Sequence, residues 1–598
     1  MNLASHKFAA FRRFFNKFSS RFTISENTFM AFIAVLIGVA AGLGNLAFRK
    51  TIDFFHWLVI ENGSRLLHIP QTTQLSLANW DPARLGVVLF PMVGGLLMIF
   101  FWKFFKEDMQ FGFPKFMETV NLRGARLPAR IALTRGIASA ITLGTGGSAG
   151  QESPIAQIGG AIGSQFGQLF RMSRERLKIL VACGASAGVA ATFNAPIAGV
   201  FFGTEIILVS TFAFTSFTPI VIASTVSTAV TRMLLVSEVF PAPAHFLNSP
   251  LDLVLYALLG AIIGLLTTVQ IDIHFFIKDC FDRLKISQLV KPLLGGFLVG
   301  LIGIFFPQIM GNGYEFMNMA LVGKGSFAVL LVIALLKIIA TAVTLGSGLP
   351  GGLFAPALVI GSFFGGAFGH LTLGAFPQIS LSPGVFALVG MGAFLAGSMH
   401  APATAIFLVF EITSSYDAIL PMMLACVIAT AVARWRKKDN LETVELTREG
   451  ISLEGGREIN IMRSIRVREA MGPSTEIIPE NMTLKQFSEF VGSAKDNTFF
   501  LVNKAQELTG VLSTQDFLGV ALAKGLSDSV TVRELATLSV VTVTMDETLE
   551  SALRKLGTRD LKKMPVVDEE TGKKILGRVT YRDLVNHYNR ALVARTLE

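Results

Sequence analysis

From about Phe29 to Val432 the chain runs as a series of apolar stretches that differ in length and are interrupted by glycine and proline. A plain row of membrane-crossing helices would show more uniform runs of about 20 residues. Segments such as Pro154 to Phe170 and Pro356 to Leu371 are too short, or too rich in glycine, to cross about 30 Å of hydrocarbon unaided, so they read as half-helices. Irregular backbone at membrane depth survives only where protein buries it or where it lines a polar cavity, which makes each break a candidate ligand site. Past Arg436 the texture changes to short apolar strands alternating with amphipathic helical stretches, a soluble α/β pattern. The expected fold class is an all-α polytopic membrane domain of many short and broken helices, followed by a small α/β domain.

Two repeats organise the chain. Gly150, Pro154, Gly159, Gly163 and Gly167 recur as Gly352, Pro356, Gly361, Gly365 and Gly369, each displaced by 202 positions. Farther on, Asn194-Ala195-Pro196 with Glu205 is echoed by His400-Ala401-Pro402 with Glu411, now displaced by 206, as a short loop insertion would produce. The membrane part, 25–445, therefore reads as two similar halves, roughly 80–235 and 290–435. In the tail, Val467-Arg468-Glu469 and Val532-Arg533-Glu534 open two units of about 60 residues, each continuing as helix, short strand, and a strand running into a helix. These units span 463–525 and 526–592, after a charged linker at 446–462 that contains Gly455-Gly456.

Composition makes the bilayer explicit. Only 16% of the 598 residues are charged and 52% are hydrophobic, against about 25% charged in a soluble domain, which excludes an ordinary soluble enzyme. The first 440 positions hold 31 basic against 19 acidic residues, and the rest hold 21 against 23. The basic excess belongs to the membrane part, so nucleic acid is not an expected partner. Arg434, Arg436, Lys437 and Lys438 follow an apolar run directly and mark the cytoplasmic side, which places the tail in the cytoplasm of a multi-pass protein of the cell or inner membrane. Lys7, Phe8, Phe11, Arg12, Phe15 and Phe18 fit an amphipathic segment over 1–24 lying on the same inner surface. Cys183, Cys280 and Cys426 are widely spaced, with no CxxC, so neither a disulfide nor a metal site is expected.

The candidate chemistry sits in the breaks. Gly144 to Ala149 satisfies a dinucleotide string but follows a membrane run rather than a strand, and the GxSxG strings at Gly146 and Gly184 are what so much glycine produces by accident. In Gly150-Gln151-Glu152-Ser153-Pro154 a carboxylate stands at the start of a short helix, with Pro154 suited to the first turn, where backbone N–H groups lack partners. Such a terminus attracts anions, so the Glu152 carboxylate and a dissolved halide would compete for one place. Gly351-Gly352-Leu353-Phe354-Ala355-Pro356 is the same break without a carboxylate, leaving the amides of Leu353 and Phe354 for an anion. Gly112-Phe113-Pro114 offers a third helix start. Glu118, Glu205 and Glu411 are expected to be capping or hydrogen-bonded structural acids rather than charge relays.

These motifs resemble the CLC family of chloride channels and chloride/proton antiporters over nearly all of residues 25 to 450. Gly147 to Pro154 looks like the family's GREGP region, and Gly351 to Pro356 like its GGxFxP region. The tail resembles a tandem pair of CBS domains. The resemblance implies a homodimer with one pore per subunit, inverted halves, and tilted helices meeting near the midplane around chloride. Glu152 would be the gating glutamate, with Gly150 and Gln151 beside it and Leu353 and Phe354 as amide donors; no cofactor is required.

Several positions depart from the family pattern. The anion-contacting serine of the family's GSGIP motif corresponds to Phe111, ahead of Gly112. Counting without gaps, the family's pore tyrosine falls at Glu442, a further residue of the anion path; ionised, it would repel chloride, so it is expected to be protonated, turned away, or paired with Arg434 or Lys438. Gln151 and Ser153 replace the family's cation and glycine on either side of Glu152. Antiporters of the family commonly carry an inner proton-relay glutamate at the position of Ile206, which cannot accept a proton. The expectation is therefore a passive channel gated by Glu152. A coupled antiporter with Glu442 as a substitute inner proton site is the alternative, and a membrane-anchored sensor of ATP, ADP or AMP a third. For the last, Ser513 with Asp516 and Thr580 with Asp583 fit the S/T-x-x-D pattern of nucleotide-binding CBS pairs, a pattern that also occurs in purely structural ones.

Overall fold

The computed structural model describes residues 26–69, 82–105, 112–209, 214–235, 240–243, 247, 249–378, 380–453, 462–473, 476–494, 496–524, 529–558 and 561–597. Phe111 and the segment 1–24 lie outside the described residues. The chain divides into two units, Met1–Glu449 and Gly450–Glu598.

Among the described residues the first unit is helical, and apart from the five-residue helix Asn62–Leu66 its main helices fall into two sets of eight. The first set is α1 (Glu26–Phe55), α2 (Leu89–Phe105), α3 (Phe113–Asn121), α4 (Arg130–Gly144), α5 (Glu152–Leu169), α6 (Arg174–Phe193), α7 (Pro196–Phe201) and α8 (Phe214–Leu234). The second is α9 (Asp252–Arg283), α10 (Lys291–Phe305), α11 (Tyr314–Leu321), α12 (Phe327–Gly346), α13 (Phe354–Ala375), α14 (Pro383–Met399), α15 (Pro402–Thr413) and α16 (Ile419–Arg436). Each set opens on its longest helix, of 30 or 32 residues, and places its shortest third or seventh. A short α17 (Val444–Arg448) closes the unit. Among the described residues eight helices are long and apolar enough to span a bilayer, and the protein is a multi-pass integral membrane protein.

The sequence repeat has a local cause. Asn194 and His400 end α6 and α14 in the left-handed conformation, at φ 57° and 55°, and Pro196 and Pro402 start the next helices at once. The repeated glycines let helices touch: a Cβ on Gly159 would lie 2.0 Å from the Gly184 carbonyl oxygen, and one on Gly361 2.5 Å from that of Gly390. Small residues at a crossing are how helices without a hydrophobic drive between them gain contact in lipid. These glycines also correct the expectation for one of the two half-helices. With 22 residues, α13 is long enough to span, and its glycines serve its crossing with α14 rather than shortening it.

The second unit holds two three-stranded sheets of the same design: β1 (Ile477–Pro479), β2 (Thr498–Val502) and β3 (Leu508–Ser513), then β4 (Val543–Thr544), β5 (Lys563–Val567) and β6 (Ile575–Thr580). In each, the first pair is parallel and the second antiparallel, with a register shift one residue before the second strand ends. Phe487, Phe499 and Phe517 fill the first core, and Leu549, Met564 and Val579 the second.

Candidate functional site

The breaks ahead of α5 and α13 meet. Gly150 donates to the Gly352 carbonyl at 2.7 Å and Gly352 returns the bond to Gly150 at 2.8 Å, an antiparallel bridge between the two halves of the chain. The first break is pinned from α12, whose Thr344 hydroxyl accepts from the Ser148 amide (3.1 Å) and whose Thr341 hydroxyl lies 3.0 Å from that of Ser148. Two helix starts, with their unpaired amides and positive dipole ends, are thereby fixed against each other inside the protein.

Glu152, the first residue of α5, is fully buried there. One carboxylate oxygen accepts from the Ala355 amide at 3.1 Å and the other from the Tyr314 hydroxyl at 2.8 Å. No cation among the described residues pairs with it. The carboxylate thus sits at the start of α13, on the amide one position beyond Leu353 and Phe354. The reason for the shift is register: Leu353 forms the cap and Phe354 the first turn, so the amide facing Glu152 is the next one. Gly150 admits the carboxylate, since a Cβ there would stand 2.3 Å from the Glu152 Oε2. Gln151, half-buried, caps α5 with its carbonyl, which accepts from Ile155 at 3.0 Å.

Among the described residues the third start is connected to this centre only through a relay of aromatic rings. Gly112 caps α3, and Phe113 at its first position begins a chain of rings. It runs from Phe113 to Phe202 (6.4 Å between centroids), to Phe354 (5.9 Å), to Phe193 (6.1 Å) and to Tyr314 (6.4 Å), ending at the residue that holds Glu152. Tyr314 is the contact of Glu152 that sequence reasoning missed.

Glu442 meets the same helix start through Ser153. It is buried, and the Ser153 hydroxyl approaches its Oε1 at 3.5 Å. The expected pairing with Arg434 or Lys438 is not present: Arg434 donates to the His400 carbonyl at 3.2 Å, and Glu442 has no cationic partner among the described residues. Nor is it turned away. The Asn440 side chain accepts from the amides of Glu442 and Thr443 and donates to the Met399 carbonyl, fixing the turn so that the carboxylate faces α5.

Ile206 is buried in a π-helical turn, Phe202–Ile207, that extends α7. Its neighbour Glu205 accepts from the amides of Ala403 and Thr404 at the start of α15, while Glu411 of α15 accepts from Ile197 and Ala198 at the start of α7. The two acids cap each other's helices across the repeat. Glu118 is held by Arg123 at 2.6 Å and Lys115 at 2.9 Å.

In the tail, each S/T-x-x-D pair closes on itself. Ser513 donates to Asp516 at 2.6 Å and accepts from its amide at 3.1 Å, and Thr580 with Asp583 repeats this at 2.7 and 3.1 Å. The hydroxyl and carboxylate serve as a reciprocal cap at the strand-to-helix turn.

A family model described as voltage gated chloride channel matches residues 94–434, and one described as CBS domain matches residues 532–590. The chain is 33% identical over 445 residues to the H(+)/Cl(-) exchange transporter ClcA of Citrobacter koseri, covering 72% of this chain and 91% of that one. It is 33% identical over 415 residues to the putative chloride channel protein ClcB-like of Ralstonia nicotianae, covering 68% and 93%. Among solved structures, a slow cyanobacterial Cl-/H+ antiporter aligns with a TM-score of 0.62 at 28% identity, over 71% of this chain and 98% of that one.

Proposed function

Since the chain belongs to the voltage gated chloride channel family, we propose that it moves chloride across the membrane in exchange for protons, with Glu152 as the group on which both act. The exchange reading takes precedence over the passive channel expected from Ile206. Relatives named as H(+)/Cl(-) exchangers and a likeness to an antiporter of known structure support it. The observation that carries it is the Glu152 carboxylate hydrogen-bonded to the Ala355 amide where two helix starts meet.

The coupling follows from that contact. Two unit negative charges about 4 Å apart repel by roughly 4 kcal/mol at an effective dielectric of 20, close to a thousandfold against holding both. A chloride therefore reaches the amides only when the carboxylate has left or has been neutralised by a proton. Protonation turns the side chain from a charged competitor into a neutral one, the anion enters, and return of the carboxylate expels the anion while the proton is released. Each subunit of a homodimer would carry one such pathway.

Purified protein in vesicles with equal chloride on both sides tests this. With the lumen made more acidic than the bath, exchange predicts chloride accumulation inside as protons leave. Chloride flux that ignores the pH gradient would overturn the reading and leave an uncoupled channel.

A further inference from the structure

The exchange reading leaves a gap. The position at which the family's antiporters commonly place an inner acid is Ile206, buried and without a polar atom in its side chain, and the neighbouring Glu205 is committed to three hydrogen bonds at the start of α15. Glu411 is committed likewise to the start of α7. Neither acid is free to carry a proton without uncapping a helix.

One buried carboxylate is spent on nothing. Glu442 makes a single side-chain hydrogen bond among the described residues, to the Ser153 hydroxyl, and its charged neighbour on α17, Glu445, is an acid. The charged groups on the elements around it are engaged elsewhere: Lys115 of α3 with Glu118 and Glu449, Lys278 of α9 with Glu445, Arg448 of α17 with Asp279, and Arg434 of α16 with the His400 carbonyl. A lone buried carboxylate is costly, and with no cation to hand a proton is the partner that relieves the cost. Ser153 and Glu152 are consecutive at the start of α5, so one helix terminus carries the Glu152 carboxylate and, next to it in the chain, the hydroxyl that reaches Glu442.

We propose that Glu442 is the inner proton carrier of this protein and that protons travel from Glu442 through Ser153 to Glu152, along the track the anion uses rather than past Ile206. This rests on the exchange reading and adds its proton route. Glu442 takes a proton from inner water. When the Glu152 carboxylate leaves the Ala355 amide and swings inward, the Ser153 hydroxyl passes its own proton to Glu152 and accepts the one from Glu442. Glu442 is left as the carboxylate and Glu152 as the acid, with charge and proton number conserved. Because anion and proton share the track, an ionised Glu442 and an adjacent chloride disfavour each other, which ties proton uptake to anion occupancy at both ends.

The test is paired chloride and proton flux from vesicles holding the full chain. Glu442→Gln is expected to cut proton flux by roughly a hundredfold, the scale of a lost positioned proton carrier, while chloride continues to flow. Ser153→Ala, which keeps both carboxylates, is expected to lower the proton-to-chloride ratio. Wild type that couples, together with Glu442→Gln and Ser153→Ala at the wild-type ratio, would overturn this route and leave exchange standing. Wild type that moves chloride without protons would overturn both.

Discussion

Glu152 is held by two donors of different kinds, a backbone amide and a tyrosine hydroxyl. Hydrogen bonds to charged groups contribute about 1.5–3 kcal/mol, so Tyr314 shifts the competition toward the side chain. Tyr314→Phe keeps the ring against Phe193 and Phe240. It should tighten chloride binding about tenfold or more by calorimetry, and an unchanged affinity would mean that the hydroxyl does not hold the carboxylate. Gly150→Ala acts sterically. The added methyl would collide with the Glu152 Oε2 and stand 3.0 Å from the Ala355 amide nitrogen, filling the place for which carboxylate and chloride compete, so the variant should lose chloride flux and proton coupling together; wild-type flux and coupling would show that neither needs this place. Glu152 and the second break were legible from the sequence because a glycine-proline break in an apolar run has few physical outcomes. Tyr314 was not, since it reaches the site from α11, which carries no motif. The Ala355 amide lay one residue from expectation because helix register depends on the cap formed.

At the scale of elements, the repeat explains what the acids on apolar helices do. Glu205 and Glu411 each satisfy orphan amides at the start of a helix in the opposite half. Glu205→Ala would leave the Ala403 and Thr404 amides without their acceptor in a half-buried site, at about 1–3 kcal/mol by denaturant unfolding in detergent. Full stability would show that the cross-capping contributes nothing. That these acids are structural was readable from their place on apolar helices, where a buried acid is usually hydrogen-bonded; that each caps the other half was not, because a repeat in sequence does not say how its copies face each other. The glycine spacing located α5 and α13 but misjudged the length of α13, since a glycine that ends a helix and one that admits a neighbour look alike along the chain.

At the scale of the whole molecule, the tail is stabilised separately. Lys563 of β5 is buried and binds Asp496 at 2.6 Å and Glu476 at 3.4 Å, which joins the second tail repeat to the first. Burial works to raise the Asp496 pKa, but the Lys563 hydrogen bond, the Asn497 amide and the charges of Lys563 and Arg578 outweigh it and hold the carboxyl below its usual range. A lowered carboxyl stabilises the fold fully above the ordinary value of about 4 and loses that contribution as pH falls through the lowered one. Unfolding of the tail in urea should therefore ease below about pH 4, and Asp496→Asn should flatten that limb; an identical acid limb in the variant would contradict the assignment. The two-unit order was plain from charge density alone, whereas this ion cluster, built from residues 67 and 87 positions apart, left no local signature. For the membrane unit, the most direct measurement is anomalous scattering from bromide bound to the Glu152→Ala protein. The account predicts a bromide at hydrogen-bonding distance from the Ala355 amide in the variant and none there in the wild type, where the carboxylate fills the place. An empty Ala355 amide in the variant, or a bromide on it beside an undisturbed Glu152, would contradict the competition on which the rest depends.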